Sequence, residues 1–528
     1  MPVKVDIYDV TLRDGAQGPG IKFSAEDQVK IVQELDAFGV DFIEGGQPNS
    51  NPKAADLFAR VRDIELRHTK LAAFGSTRHA KSAVEDDANL KALLAAKTDV
   101  VTIFAKSSPS HVKHILRTTL DYNLTIIDES IRYLRKHRRR VFLDAEHFFD
   151  AYAEDAQYAL AMLEQAAAAG AEVLILCDTN GGRLPHEVSS TISAVKTRLP
   201  NARLGIHTHN DSGCAVANSL AAVKAGAIHV QGTINGYGER TGNANLSTII
   251  PNLQLKMGLD VVAPEKLSNL TRLSHLVAEL ANMAPRDADP FVGRDAFTHK
   301  AGMHADAVHK LKESYEHIVP ESVGNRTRIT VSEVSGRASL LQKAAELGLE
   351  FARDDPETRT ILARIKELES QGYEFEGADA SLELLMRKAK GTYRKFFTVL
   401  GYHVTVTQHA QERNAVSEAT VKLQLPDGML MHTVSEGDGP VDALNNAFRK
   451  AVEEWYPELH DVHLEDYKVR ILNAQAATRA KTRVLIESSD IEQSWSTVGV
   501  SENIISASYE ALVDSIEYKL LKTRGHNG

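Results

Sequence analysis

The chain has 528 residues and a formal net charge of −10, from 61 basic and 71 acidic side chains. This length exceeds what one ordinary core can hold, so we expect a large domain and one or two smaller ones. The sequence lacks both a long basic tract and an apolar run of the roughly 18 residues that span a bilayer, so we expect neither nucleic acid nor membrane as a partner. Two cysteines argue against a disulfide framework and favour a cytoplasmic location.

Short β-branched runs alternate with helical stretches through the first half of the chain. The runs begin at Val3, Val40, Leu71, Asp99, Val141, Ala171, Ala202 and His229. Their spacing of roughly thirty residues is the length of one βα unit. The pattern therefore predicts an α/β fold, a (β/α)8 TIM barrel over residues 1–270. A doubly wound sheet is the alternative, but it requires a phosphate-binding glycine loop after an early strand, which this sequence lacks.

The first helix of the predicted barrel has recognisable ends. Ser24 is placed to cap it, with Asp27 at the capping-box position, and Gly39 is placed to end it.

Nearly every strand run ends in polar or glycine residues. Because the carboxyl ends of barrel strands form the active-site face, we expect these side chains to converge at one mouth.

The second half of the chain has a different pattern of predicted helices and strands. Residues 271–395 are mainly helical and predict an accessory region. Residues 396–528 hold strand-like runs and two helices, around Pro440–Trp455 and Ile504–Lys522. A β-β-α unit seen twice predicts a C-terminal α+β regulatory domain.

His207-Thr208-His209 is the sharpest motif, and it lies on the seventh strand run. Side chains at i and i+2 of a strand point the same way, so both imidazoles project together. Imidazole is a common ligand of divalent metals. Asp14, after the first strand, is placed to supply a carboxylate, and Asn243, after the eighth, an amide oxygen. This set suits Mn²⁺, Mg²⁺, Zn²⁺ or Co²⁺ without choosing among them; a pair of polar barrel-mouth histidines without a metal is the alternative.

Arg13, next to Asp14, has two interpretations. It can place a permanently charged, forked group beside the metal. Alternatively it forms a structural salt bridge with an acid at a neighbouring strand end, such as Glu44 or Glu146. Glu44 is also a candidate for substrate binding.

Three motifs carry a family resemblance, namely YDVTLRDGAQG from Tyr8, HTHND from His207 and GERTGNANL from Gly238. Together they resemble the 2-isopropylmalate, homocitrate and citramalate synthases, barrel metalloenzymes that condense acetyl-CoA with 2-oxo acids. The segment from Ile43 to Lys53 looks like the citramalate branch. The tail, from Glu436 and again from Thr497, is similar to the family's allosteric domain. The resemblance thus spans nearly the whole chain.

The resemblance implies a role for each matching position. Asp14, His207 and His209, with Asn243 close by, match the metal ligands. Arg13 matches the arginine that polarises the keto oxygen. The remaining matches are Thr179 for the substrate carboxylate, Glu146 for an acid near the acetyl group, His304 for proton abstraction and Tyr315 for its assistance. In the family that histidine reaches into the partner subunit, which implies a homodimer.

The resemblance implies condensation of acetyl-CoA with pyruvate and water to give (R)-citramalate and CoA, in isoleucine biosynthesis. A branched-chain amino acid, isoleucine for that product, is the implied effector. Three alternatives stay open: 2-isopropylmalate synthesis from 2-oxoisovalerate, a metal-dependent aldolase or lyase on the same barrel, and a metal-binding regulatory protein. The aldolase or lyase alternative gives no reason for the long second half of the chain. The regulatory-protein alternative leaves Arg13 and the converging polar strand ends unexplained.

Overall fold

The computed structural model describes most of the chain. The described residues are 2–50, 52–299, 307, 311, 314–329, 337–349, 351, 356–375, 377–408, 415–472, 480–491 and 493–524. They form two compact units, Met1–Phe297 with Glu316–Thr327, and Thr298–Tyr315 with Arg328–Gly528. The finer division at residues 270 and 395 stays a prediction. Among the described residues, no helix combines the length and apolar character needed to cross a membrane.

Eight parallel strands close into a barrel in the first unit, in sequence order. They are β1 (Asp6–Asp9), β2 (Phe42–Glu44), β3 (Lys70–Ser76), β4 (Val100–Lys106), β5 (Arg140–Glu146), β6 (Val173–Asp178), β7 (Leu204–Thr208) and β8 (His229–Gly232). The barrel closes where β1 pairs with β8, with Ile7 opposite Val230. The predicted TIM barrel is therefore confirmed, with a strand in each of the eight predicted runs.

Helices follow the strands and cover the barrel. They are α1 (Ala25–Phe38), α2 (Pro52–Arg62), α3 (Ala88–Ala95), α4 (Pro109–His111), α5 (Leu120–Lys136), α6 (Phe148–Glu154), α7 (Ala156–Ala169), α8 (Pro185–Arg198), α9 (Ala215–Lys224), α10 (Leu246–Pro251), α11 (Pro264–Leu267) and α12 (Leu270–Leu280). Apolar side chains from their inner faces join those of the strands in one continuous core.

Helix α1 has the ends that its sequence predicts. The Ser24 side chain accepts a hydrogen bond from the Asp27 amide, and the Asp27 carboxylate accepts one from the Ser24 amide. This capping box satisfies two amides that the first turn cannot pair. Gly39 ends the helix at φ 97°, a left-handed conformation that favours glycine. The chain is thereby turned into β2 after Val40.

Aromatic rings fill the part of the barrel interior farthest from the strands' carboxyl ends. Tyr8, Phe42 and Phe142 surround the ring of His229, with centroids 5.3, 5.9 and 5.5 Å from it. His229 is fully buried. Burial and the positive charges of Arg203 and Arg140 lower its pKa to about 3, so the imidazole is neutral. These rings plug the barrel below the polar mouth.

The second unit contains two three-stranded antiparallel sheets, and among the described residues two short strands and three helices precede them. Short parallel strands β9 (Thr298–His299) and β10 (Arg328–Ile329) lead into helices α13 (Arg337–Glu346), α14 (Pro356–Ser370) and α15 (Asp379–Ala389). The first sheet holds β11 (Thr398–Thr407), β12 (Val416–Gln424) and β13 (Leu430–Gly437), and α16 (Pro440–Val452) follows it. The second holds β14 (His463–Ile471), β15 (Thr482–Ser489) and β16 (Ser494–Ser501), followed by α17 (Ile504–Arg524).

The repeated unit is therefore β-β-β-α, and the predicted β-β-α unit was wrong by one strand in each copy. Both missed strands pair along their length with the strand before them. The predicted α+β character and both of its helices are confirmed. A buried cluster also joins Leu340, Ile365 and Leu382 of the helical region to Val498 and Val500 of β16, so the helical region and the second sheet share one core.

Candidate active site

Three side chains that could hold a metal ion meet at the carboxyl ends of the barrel strands. Asp14 lies just after β1, His207 on β7 and His209 just beyond it. One ligand atom from each lies within 4.8 Å of the others, and all three residues are buried. The His207 and His209 Nε2 atoms are 3.3 Å apart, and Asp14 Oδ2 is 3.6 Å from His207 Nε2. The structure thus brings together the three predicted ligands from distant parts of the chain.

The electrostatics of this cluster favour neutral imidazoles beside an ionised carboxylate. Burial and the neighbouring His209 lower the pKa of His207 to about 3. Burial also lowers the pKa of His209. Burial by itself raises the pKa of Asp14, but Arg13 and the two histidines bring it far below its usual value. At neutral pH the Asp14 carboxylate is therefore ionised and both imidazoles are neutral.

These residues fit a divalent cation. His207 Nδ1 contacts the Gln231 Oε1 acceptor at 2.9 Å, so Nδ1 carries the proton and Nε2 is unprotonated. Two Nε2 atoms and a carboxylate oxygen then face one small volume, which a cation would stabilise. The Asn243 Oδ1 atom is buried and has no hydrogen-bond partner among the described residues, and it is available as a further oxygen donor.

A glycine-rich loop after β8 carries Asn243 to the cluster. Asn243 pairs with His209 in an isolated antiparallel bridge. Gly238 has φ +150°, and a Cβ there would lie 2.2 Å from Asn243 Nδ2. Gly242 has φ +96°, and its Cβ would lie 2.0 Å from the Gly236 carbonyl oxygen. The glycines are required because the loop folds back on itself, and they serve backbone geometry and not nucleotide binding.

Arg13 is held between two carboxylates at the same mouth. Its Nε donates to Glu44 in a short ion pair, and its Nη1 donates to Asp14 Oδ2 at 2.9 Å. Its guanidinium also lies 4.0 Å from the centre of the Phe74 ring. The predicted salt bridge with Glu44 is present, and it places the guanidinium directly against Asp14, a candidate metal ligand.

Glu44 is completely buried beneath Arg13. It accepts a hydrogen bond from the Tyr8 hydroxyl at 2.8 Å, and that hydroxyl is also 2.7 Å from Thr102 Oγ1. Burial raises the pKa of Glu44, while the charge of Arg13 opposes this. These contacts position Arg13. The predicted role of Glu44 in substrate binding stays a prediction.

Thr179 and Glu146 lie at the same end of the barrel, after β6 and at the end of β5. Thr179 Oγ1 accepts a hydrogen bond from the His147 amide at 2.8 Å. Glu146 pairs with Lys106 of the neighbouring β4. Both residues thus border the mouth, on the side of β4–β6.

Arg240 ties this side of the mouth to the glycine-rich loop. It donates two hydrogen bonds to Asp211, at 2.8 and 3.0 Å, and one to the Thr179 carbonyl at 2.8 Å. A bidentate arginine–carboxylate pair fixes both partners in one geometry. The GERTGNANL and HTHND motifs are therefore fastened to each other around the cluster.

Two further predicted catalytic residues are His304 and Tyr315. His304 lies outside the described residues. Tyr315 belongs to the second compact unit, where it is half-exposed and its ring centroid lies 6.4 Å from that of His299. The predicted roles of both residues stay predictions.

Sequence reasoning missed Gln231, a buried polar residue of the mouth, and placed Asp144 only among the polar residues at the strand ends. Gln231 contacts His207 and donates a hydrogen bond to Asp144 Oδ1 at 3.0 Å. The available signal was a polar residue two positions after His229, facing the interior of a barrel strand. Burial and the nearby Glu44 raise the pKa of Asp144 to about 8.

Family models match three successive parts of the chain. An HMGL-like model matches residues 4–277, a homocitrate synthase post-HMGL domain-like model matches residues 291–373, and a LeuA allosteric (dimerisation) domain model matches residues 376–520.

Relatives that match nearly the whole chain identify the family more narrowly. An (R)-citramalate synthase of Aquifex aeolicus (strain VF5) is 51% identical over 523 residues, covering 99% of both chains. That of Synechocystis sp. (strain ATCC 27184 / PCC 6803 / Kazusa) is 52% identical, covering 97% of this chain and 96% of the relative. The chain belongs to the (R)-citramalate synthase family. A 2-isopropylmalate synthase of Shouchella clausii (strain KSM-K16) is 34% identical, covering 97% of this chain and 96% of the relative. The chain is therefore more similar to these citramalate synthases than to this 2-isopropylmalate synthase.

Substitution of Gly242 tests whether the tight loop shapes the cluster. In Gly242→Ala the added Cβ would meet the Gly236 carbonyl oxygen at 2.0 Å, so the loop must shift and move Asn243. We expect affinity for Co²⁺, measured by titration of its visible absorption, to fall about tenfold or more, as for other losses of ligand support. Gly258→Ala is the matched control, since Gly258 also has positive φ, 68°, but meets no atom within 4 Å. Equal affinity in both variants would contradict the role of the loop.

Proposed function

We propose that this chain catalyses the condensation of acetyl-CoA with pyruvate and water to give (R)-citramalate and CoA. The observation that carries the proposal is the buried Asp14–His207–His209 cluster with Arg13 against it. It occurs in a chain 51% identical to a full-length (R)-citramalate synthase. The chemistry needs an electrophilic site for a 2-oxo acid, and these residues supply one.

Asp14, His207 and His209 would hold a divalent cation, with Asn243 as a further oxygen donor. When bound, the cation would act as a Lewis acid toward the ketone of the 2-oxo acid. Carboxylate, amide and neutral imidazole donors are compatible with Mn²⁺, Mg²⁺, Zn²⁺ or Co²⁺. The identity of the ion is not part of the proposal.

Arg13 would stabilise the negative charge that develops on the keto oxygen as the new carbon–carbon bond forms. Its guanidinium is fixed before the substrate arrives, by Glu44 on one side and Asp14 on the other. A prepositioned donor stabilises a developing oxyanion without the cost of reorganising during the reaction. Thr179, at the neighbouring strand end, would contact the substrate carboxylate.

The carbon nucleophile arises when a base removes a methyl proton from acetyl-CoA. We assign this step to His304, assisted by Tyr315, with Glu146 near the acetyl group, because the family resemblance places those roles at these positions. The enolate attacks the ketone, and hydrolysis of the thioester releases CoA and makes the reaction irreversible. The family also places His304 in the partner subunit's barrel, so we propose that a homodimer is active; the match to a LeuA dimerisation domain supports this.

Release of CoA thiol tests the proposal directly. The protein, acetyl-CoA and a panel of 2-oxo acids are combined with a thiol reagent, with and without a chelator. We expect the fastest release with pyruvate, and its loss on chelation with recovery when a divalent cation is added back. A preference for 2-oxoisovalerate would move the assignment to 2-isopropylmalate synthesis. Absence of release with every acid would refute a synthase and favour a metal-binding regulator.

Replacement of Arg13 tests the site of oxyanion stabilisation. Lysine keeps the charge but lacks the planar fork with which Arg13 bonds Glu44 through Nε and Asp14 through Nη1. We expect Arg13→Lys to lower kcat by about 10²–10³-fold, as when one oxyanion donor is lost. Arg132→Lys is the control, because Arg132 is an exposed residue of α5 paired with Asp128 and its replacement should leave kcat unchanged. Near-normal kcat in Arg13→Lys would show that the assigned role is wrong.

We also propose feedback inhibition by a branched-chain amino acid, isoleucine if citramalate is the product, bound within residues 396–528. The match of residues 376–520 to a LeuA allosteric domain supports this. Deletion of residues 396–528 would be a poor test of this proposal. Val498 and Val500 share a core with Leu340 and Leu382, and the truncated protein would expose that core.

Hydrogen–deuterium exchange on the intact protein locates the effector instead. We expect isoleucine to slow exchange within residues 396–528 while lowering the rate of CoA release. Alanine at the same concentration is the control and should do neither. Slowed exchange confined to residues 1–270 would contradict the assignment, since the effector would then act at the barrel itself.

A further inference from the structure

Gln231 lies at the centre of a buried hydrogen-bond chain behind the candidate metal ligands. It is opposite His207 in the register of β7 and β8. Its Oε1 is 2.9 Å from His207 Nδ1, and its Nε2 donates to Asp144 Oδ1 at 3.0 Å. Gln231 is fully buried, and Asp144 is 4% exposed. Neither residue has a role in the condensation steps above.

The direction of this chain follows from the chemistry of its ends. Asp144 Oδ1 accepts, so the Gln231 amide turns its NH₂ toward β5 and its carbonyl toward β7. His207 Nδ1 faces that carbonyl, which only accepts, so Nδ1 must carry the proton. A neutral imidazole protonated at Nδ1 exposes an unprotonated Nε2, the atom that faces Asp14 and His209.

We propose that Gln231, held by Asp144, is a positioning residue that fixes the tautomer and ring orientation of His207 for a divalent cation. This inference rests on the metal site of the proposed function. His209 differs from His207 here, because its Nδ1 has no hydrogen-bond partner among the described residues. His207 is therefore the prepositioned member of the pair, and Gln231 supplies the outer contact that metal-binding histidines characteristically make.

The consequence is a dependence of metal affinity on two residues that never touch the metal. Without the carbonyl of Gln231, the His207 ring could rotate or place its proton on Nε2, where it would block the cation. Losses of such outer contacts weaken metal binding about 10–100-fold. The Gln231–Asp144 contact matters less directly, because it orients the amide and leaves the His207 contact in place.

Titration of the metal-free full-length protein with Co²⁺ alone tests this, with the dissociation constant taken from its visible absorption. Gln231→Met keeps the length of the side chain and removes the acceptor. We expect its dissociation constant to rise about 10–100-fold. The double variant Gln231→Glu with Asp144→Asn exchanges the carboxyl and the amide, so it reverses the inner hydrogen bond and keeps an acceptor for His207; its constant should lie within about threefold of the wild-type value. Rescue by this variant distinguishes positioning from a general packing role.

Cys177→Ala is the matched control, because Cys177 is buried in the same barrel interior and makes no hydrogen bond to a candidate ligand; it should bind Co²⁺ normally. If Gln231→Met does not fold, Asp144→Leu replaces it, with an expected rise of about threefold to tenfold, at the lower end for an outer contact. Wild-type affinity in the folded variants would overturn the inference alone. Absence of a Co²⁺ band in the wild-type protein would overturn the metal site as well, so the two failures are distinguishable.

Discussion

His207 and His209 bring their Nε2 atoms to 3.3 Å from each other in a buried site, with an ionised carboxylate beside them. A buried carboxylate is stabilised when positive charge lies near it. The other polar contacts of the barrel mouth are arranged around this cluster. Arg13 supplies one permanent positive charge at its edge, and a tightly folded loop places Asn243 beside His209.

The contacts that hold the Asp14–His207–His209 cluster in place are of different types on its two sides. On the β1–β3 side they are ionic, because Arg13 is clamped by Glu44, and Glu44 is in turn held by Tyr8. On the β7–β8 side they are hydrogen bonds between neutral groups, through Gln231. An ionic support fixes a charge that can serve the reaction, whereas a neutral support can orient a ligand without adding charge. This division agrees with Arg13 facing a substrate and Gln231 facing only the protein.

The sequence predicts those features that depend on local spacing. The eight barrel strands and the ends of α1 were predictable because periodic apolar residues, Ser24, Asp27 and Gly39 act within a few residues of each other. The same holds for the paired imidazoles of His207 and His209. Arg13 with Glu44 was one of several possible pairs, since only strand order decides which acid is near.

Other features depend on partners far away in the chain, which spacing cannot supply. Gln231 meets Asp144 across the barrel, between residues 87 positions apart. Strand β13 was missed because its side chains alternate between exposed and half-exposed, so its apolar pattern is weak. Strand β16 was missed because three serines and a glycine interrupt its Trp, Thr and Val residues, and its pairing with β15 is a contact that local spacing does not reveal.

The aromatic rings around His229 also bear on how small molecules reach the candidate site. Tyr8, Phe42 and Phe142 belong to one buried cluster in the barrel interior, so we expect small molecules to reach the site from the polar mouth, at the carboxyl ends of the strands. In the proposed reaction pyruvate, acetyl-CoA, citramalate and CoA would then all pass through this one face of the barrel.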